Sequence, residues 1–214
     1  MFYVSYTKGY KPGGSNLTYG REDIVAPIVV LPTFEEEVVD AYEFGLKADL
    51  AGGRTRINSA VFFYNYEGLQ YQATDPELFQ GGVSNIPESE IYGAEVELST
   101  YLTDSMILDA NLSWIETEIT ADHFALDNVQ SDIATNALLA QGVNQFSDQV
   151  QIARAAEITN VKGNELAKTP NFTANLALTW EGYVENWGEL TNSLQYIYRG
   201  DFKHRMFNLS LIHI

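Results

Sequence analysis

The chain of 214 residues contains no cysteine, so neither a disulfide framework nor a thiolate metal site is available to it. Basic residues are scarce: 12 Lys and Arg stand against 29 Asp and Glu, a formal charge of −17. Neutralising nucleic-acid phosphates takes clustered Lys and Arg, so nucleic acid is excluded as a partner. No apolar run reaches 18 residues, which excludes a transmembrane helix. It does not exclude membrane-crossing strands, whose apolar residues alternate with polar ones. His123, His204 and His213 lie far apart without ligand spacing, so no metal site is expected. "GYKPGG" lacks the Lys-Ser/Thr and the helix of a phosphate-cradling loop. No secretory signal precedes the first strand-like residues, so the chain is either cytoplasmic or a piece lacking its natural N-terminus.

What the sequence has in abundance is two-residue alternation. From Ile91 the stretch "IYGAEVELSTYL" sets Tyr92, Ala94, Val96, Leu98, Thr100 and Leu102 against Glu95, Glu97 and Ser99. Residues 38–50 set Tyr42, Phe44, Leu46, Ala48 and Leu50 against Glu43, Gly45, Lys47 and Asp49. The same pattern recurs at 106–117, 172–181 and 189–199, with a short run at 2–7. A further strand is expected over 54–72, where aromatic residues fall on both parities and leave its faces undecided. Alternation of this kind means one apolar face and one wet face. In a soluble sandwich the apolar face meets a protein core; in a membrane barrel it meets lipid, and Glu95 and Glu97 face an aqueous lumen.

Length and spacing favour the barrel. Most of these runs reach ten residues or more, the length a tilted strand needs to cross a bilayer, whereas soluble strands average five or six. Connections at 51–54, 103–105 and 182–188 are short, and those at 8–35, 73–90 and 120–170 are long. An up-and-down barrel has this asymmetry, with short turns at one rim and long loops at the other. Under that polarity Tyr42, Tyr92, Trp114, Phe172, Tyr196 and Tyr198 fall at the long-loop ends of their strands, as an aromatic girdle would. Trp180 falls at the short-turn end. The expected fold is therefore all-β, an antiparallel up-and-down transmembrane barrel, here an incomplete open sheet of about seven strands.

The long loop 120–170 is rich in Ala, Gln and Leu and is expected to be part helical, with Ser131 or Asp132 as the cap. Its role is either packing on neighbouring loops or contacting a ligand. Gly13 and Gly14 after Pro12 suit a turn with positive φ, as do Gly52 and Gly53, and Gly93 within a strand implies a bulge or a close contact.

Four segments carry a resemblance: "YVSYTKGYKPGGSN", "VVDAYEFGLKADLAGGRTRINSAVFFYNYEGLQ", "VSNIPESEIYGAEVELS" and "GNELAKTPNFTANLALTWE". In that order they resemble the C-terminal barrel of TonB-dependent outer-membrane receptors, over nearly the whole chain to about residue 199. The family's barrel has about 22 strands around a plug, so residues 1–199 are expected to be a partial barrel domain without plug or energy-coupling box. Residues 200–214 are expected to be a truncated end, and the last six resemble sequencing-adapter read-through. The resemblance implies the outer membrane of a Gram-negative bacterium as location. It implies energised uptake of a scarce ligand: a ferric siderophore, haem, cobalamin or a carbohydrate. The partners it implies are the TonB energy-coupling complex, through the plug, together with outer-membrane lipid and a small-molecule ligand such as a metal chelate.

No enzymatic activity, catalytic residue, cofactor or metal ligand is expected. The i, i+2 pairs Glu95/Glu97 and Glu116/Glu118 are what any wet strand face carries. Loop aromatics Tyr19, Phe79 and Phe124 are candidates for stacking on a ligand, and equally for packing loops together. A passive porin or adhesion barrel, and a soluble β-sandwich binding carbohydrate, remain the rival readings.

Overall fold

The computed structural model describes residues 1–16, 33–74 and 81–207. Its elements are β1 (Phe2–Lys11), β2 (Gly14–Ser15), β3 (Thr33–Phe34), β4 (Glu37–Leu50), β5 (Thr55–Thr74), β6 (Gly81–Thr103) and β7 (Met106–Ile119). There follow β8 (Phe124–Leu126), α1 (Asn128–Ala140), α2 (Asp148–Ala155), β9 (Ile158–Asn160), β10 (Phe172–Val184) and β11 (Gly188–Arg199). Seven strands form one antiparallel sheet in the order β1-β4-β5-β6-β7-β10-β11, with β1 and β11 at its open edges. The pairs β2-β3 and β8-β9 are small ladders of their own.

Register turns local alternation into a continuous surface. One row runs Phe2–Leu46–Ser59–Val96–Leu112–Ala174–Tyr198 across all seven strands. The next runs Val4–Phe44–Val61–Ala94–Trp114–Phe172. Every residue in both rows except Ser59 is apolar or aromatic, and Phe44, Val61 and Leu112 are exposed despite lying mid-sheet. This register fixes the parity of β5: Ile57, Ser59, Val61 and Phe63 lie on the apolar face, and Asn58, Ala60, Phe62 and Tyr64 on the other.

An aromatic row follows the long-loop side of the apolar face: Tyr6, Tyr42, Phe63, Tyr92, Trp114, Phe172 and Tyr198. It steps two residues toward the short turns between Tyr92 and Trp114, and again between Phe172 and Tyr198. Neighbouring rings touch, with centroids 5.1 Å apart for Tyr6–Tyr42, 5.9 Å for Tyr92–Trp114 and 6.0 Å for Phe172–Tyr198. Tyr196 lies one row nearer the turns, opposite Leu176, and Trp180 sits by the β6–β7 turn, opposite Met106.

Four expectations are corrected. The connection over 73–90 is mostly strand, because β5 and β6 pair from Leu69↔Ile86 out to Thr74↔Gly81. That hairpin satisfies its own backbone groups by laddering, which needs no apolar alternation. The β10–β11 turn is only residues 185–187, tighter than expected. Asp127, not Ser131 or Asp132, caps α1, accepting from the Val129 and Gln130 amides at 3.0 and 3.3 Å; the helix starts early enough to put both expected caps inside it. Finally, Gly13 and Gly14 do not have positive φ. What they provide is close approach, since a Cβ on either would strike Phe34.

The sheet itself has no sealed core. The fully buried apolar side chains gather beyond the aromatic row, where Ile86, Ile119, Ala125 and Val161 pack with Leu69, Tyr71, Leu166 and Met206. Ala73 and Leu126 form a small adjoining cluster. The cap built by residues 120–170 therefore has a protein interior, while the apolar face of the sheet below it has none.

Candidate functional site

Two regions carry chemistry. The first is the polar face of the sheet. Tyr3 Oη donates to Glu43 Oε1 at 2.5 Å, and Lys47 Nζ stands 5.5 Å from the Tyr3 ring centroid. Gly45 makes room for that ring, since a Cβ there would enter it. Glu95 lies in the row Gly45↔Ala60↔Glu95, two residues along from Glu43↔Phe62↔Gly93, so the two carboxylates stand on the same face on either side of β5. Glu97 is exposed and accepts from Asn58 Nδ2 at 3.2 Å. Its partner in the chain is thus an amide on β5 rather than the Arg or Lys of a neighbouring strand that carboxylates on a wet face invite. Gly93 makes no bulge, and the ladder runs unbroken through it. A Cβ there would strike the Trp114 carbonyl and the Phe62 ring, which identifies the glycine with close packing.

The second region is the cap. A cleft of about 700 Å3 has an apolar floor that includes Leu69, Ile86 and Leu126, and a rim that includes Lys168, His204 and Arg205. Arg205 donates to Asp127 Oδ1 at 2.5 Å, tying residues beyond β11 to the cap of α1. A second cleft, of about 980 Å3, is acidic, with Glu35, Glu36, Glu67 and Glu88 in its walls. Tyr71 Oη and His123 Nε2 are 2.8 Å apart, linking the β5–β6 hairpin to the start of the 120–170 loop. Burial pushes the Tyr71 phenol up to about 12 and holds the His123 imidazole below its ordinary value.

Of the three aromatic ligand-contact candidates, Tyr19 and Phe79 lie outside the described residues. Phe124 is 55 % exposed at the first position of β8, and neither cleft has it in its walls. Glu95 and Glu97 stand on the polar face as their alternation implies. Glu43, Lys47 and Tyr3 were not singled out from the sequence, although the alternation over 38–50 already put Glu43 and Lys47 on one wet face. No sequence signal pairs Tyr71 with His123, which stand 52 positions apart. Among the described residues no group of three or more His, Cys, Asp or Glu is arranged to hold a metal ion, and no helix is long and apolar enough to cross a membrane.

A single antiparallel sheet with one exposed apolar face, an aromatic row and a capped end is the wall of a membrane β-barrel, opened at both edges. It is not the two packed layers of a sandwich. Residues 1–205 match the family described as TonB dependent receptor-like, beta-barrel, and the chain belongs to that family. Solved structures agree on the fold. The ferric yersiniabactin uptake receptor FyuA of Yersinia pestis superposes with a TM-score of 0.62 at 17% identity, over 97% of this chain and 24% of that one. The siderophore receptor PiuA of Acinetobacter baumannii gives 0.50 at 18% identity, over 84% and 21%. BauA, the ferric preacinetobactin receptor of the same organism, gives 0.50 at 15% identity, over 92% and 23%. The chain thus spans about a quarter of the length of the receptors it resembles.

Proposed function

We propose that the chain forms part of the wall and rim of a receptor in the outer membrane of a Gram-negative bacterium, which takes up a scarce ligand by energised transport. The observation that carries this reading is the seven-strand division of faces: an exposed apolar face edged by aromatic rings, backed by a face of carboxylates, amides and hydroxyls. In water that apolar face has no partner; in a bilayer, lipid covers it. The polar face then looks into the lumen, where Glu43, Glu95 and Glu97 meet water and the basic side chains of a plug supplied by another part of the receptor. Coupling to TonB runs through that plug. The cap over 120–170, Phe124 included, supplies the ligand-contacting surface together with Tyr19 and Phe79. Ferric chelates head the ligand classes, as in the named neighbours, followed by haem, cobalamin and carbohydrate. The chain has no catalytic part in this process.

Removing 128–157 from the full-length receptor tests the reading. Binding of a ferric-siderophore panel, with haem, cobalamin and oligosaccharides in parallel, should be lost while the barrel stays inserted and heat-modifiable. Unchanged binding would reduce the cap to a packing element. Uptake that persists in cells lacking TonB would make the barrel a passive channel.

A further inference from the structure

We propose that His123 is an acid-sensitive latch holding the cap, residues 120–170, to the β5–β6 hairpin. The contact lies outside the membrane-spanning part of the sheet: Tyr71 is eight residues beyond Phe63 of the aromatic row, on a hairpin that pairs only with itself from Leu69 outward. The two rings meet edge to face, 89° between planes and 5.4 Å between centroids, with the phenol oxygen 2.8 Å from Nε2. His123 is also fixed through its backbone, which takes a bond from Val161 N at 2.9 Å and gives one to Asn160 Oδ1 at 3.1 Å. The ring is therefore held at the seam where the cap meets the hairpin.

The chemistry of the bond makes it a switch. A phenol whose proton is held to about 12 stays protonated across the physiological range, so with neutral imidazole it donates to Nε2. Protonated imidazole carries hydrogen on both nitrogens and accepts nothing. The phenol must then turn to accept from Nε2–H and place its own hydrogen elsewhere. A hydroxyl able to take it is that of Ser84 of β6, the cross-strand partner of Tyr71. The rearranged contact also leaves a cation in the seam, against Tyr71 and next to the Val161 backbone, both of them residues packed in the apolar cluster. Among the described residues no carboxylate shifts the imidazole. From β5 the ring meets Tyr71, and behind it from β6 stands Ser84, both neutral. On the cap itself Asp122 is engaged with Lys162 at 3.8 Å and with Asn160 Nδ2 at 2.9 Å. Burial is accordingly the sole cause that depresses the imidazole.

The sign follows. His123 binds its proton less readily docked than undocked. Docking is at full strength above the ordinary imidazole value of about 6.5, and weakens as pH falls from there toward the depressed docked value. One proton sets the limit, a fall of at most about tenfold in the docked-to-undocked ratio per pH unit.

The test uses the full-length receptor in lipid vesicles, with a nitroxide attached at Ile152, an exposed residue of α2. Its spectrum is recorded from pH 8 to pH 5. The mobile fraction should rise severalfold below pH 6.5 and return on neutralisation. His123→Gln retains hydrogen-bonding ability without a titrating charge and should flatten the profile. Tyr71→Phe should give a raised mobile fraction already at pH 8. A wild-type profile flat over this range, or a His123→Gln profile matching wild type, overturns the proposal. A label on β7 serves as control, and equal loosening there would show general acid unfolding and overturn it as well.

Discussion

An arginine at Val96 measures what the apolar face touches. A strand rising about 3.3 Å per residue and tilted by about 40° climbs about 2.5 Å per residue along the membrane normal. The lipid-facing band is about 25 Å tall, which takes about ten residues, the span from Tyr92 in the aromatic row to Leu102 beside the β6–β7 turn. Its midpoint falls near Glu97, so Val96, between Ser59 and Leu112 on the apolar face, lies within about 3 Å of the midplane. There Val96→Arg should cost ~2–4 kcal/mol, and Thr100→Arg, about 8 Å off the midplane, ~1 kcal/mol. Both are read from denaturant unfolding of the full-length receptor in lipid vesicles, followed by tryptophan fluorescence. A protein core would also punish Val96→Arg, so the cost alone does not name the neighbour. Paired cysteines do. One at Val96 should be quenched by a lipid-borne probe and shielded from a water-soluble thiol reagent, and one at Glu97 should show the reverse. A cysteine at Val96 that is dry yet untouched by the lipid probe would mean that this face meets protein, and the barrel assignment would fall with it.

Glu97→Gln should cost under about 1 kcal/mol in the same assay, because an amide oxygen can still accept from Asn58; a much larger loss would reveal a charged partner on the plug. Gly93→Val should cost ~1–3 kcal/mol through overpacking against the Trp114 carbonyl and the Phe62 ring, and wild-type stability in that variant would show that the ladder relaxes there freely. The 214-residue chain expressed alone should not refold into a closed barrel, since β1 and β11 each present an unpaired edge that lipid does not tolerate. A heat-modifiable monomeric band on a gel would contradict this.

Alternation and the presence of long strands were legible in the sequence because each is local, whereas the lengths of the connections were legible only in part, 73–90 being mostly hairpin. The side-chain period of a strand is two whatever its neighbour is, so Val96 and Glu97 occupy opposite faces before any partner strand is known. Glu43, Lys47 and Glu95 were likewise readable as wet-face residues. Register was not readable. The faces of β5 became clear only when Val61 was found between Phe44 and Ala94, because Phe62 and Tyr64, stacked 5.0 Å apart, make its polar face as aromatic as its apolar one. The clustering of Tyr3, Glu43, Lys47 and Glu95 likewise depends on which strands pair and at what offset, and no single strand encodes that. The cap shows the same limit at longer range. Its helices could be anticipated from composition, but their start at Asp127, the Arg205 contact and the meeting of Tyr71 with His123 arise from packing between segments far apart in the chain. Local periodicity thus settled which residues face which way, and the cross-strand ladder with the small sealed interior of the cap decided which of them meet.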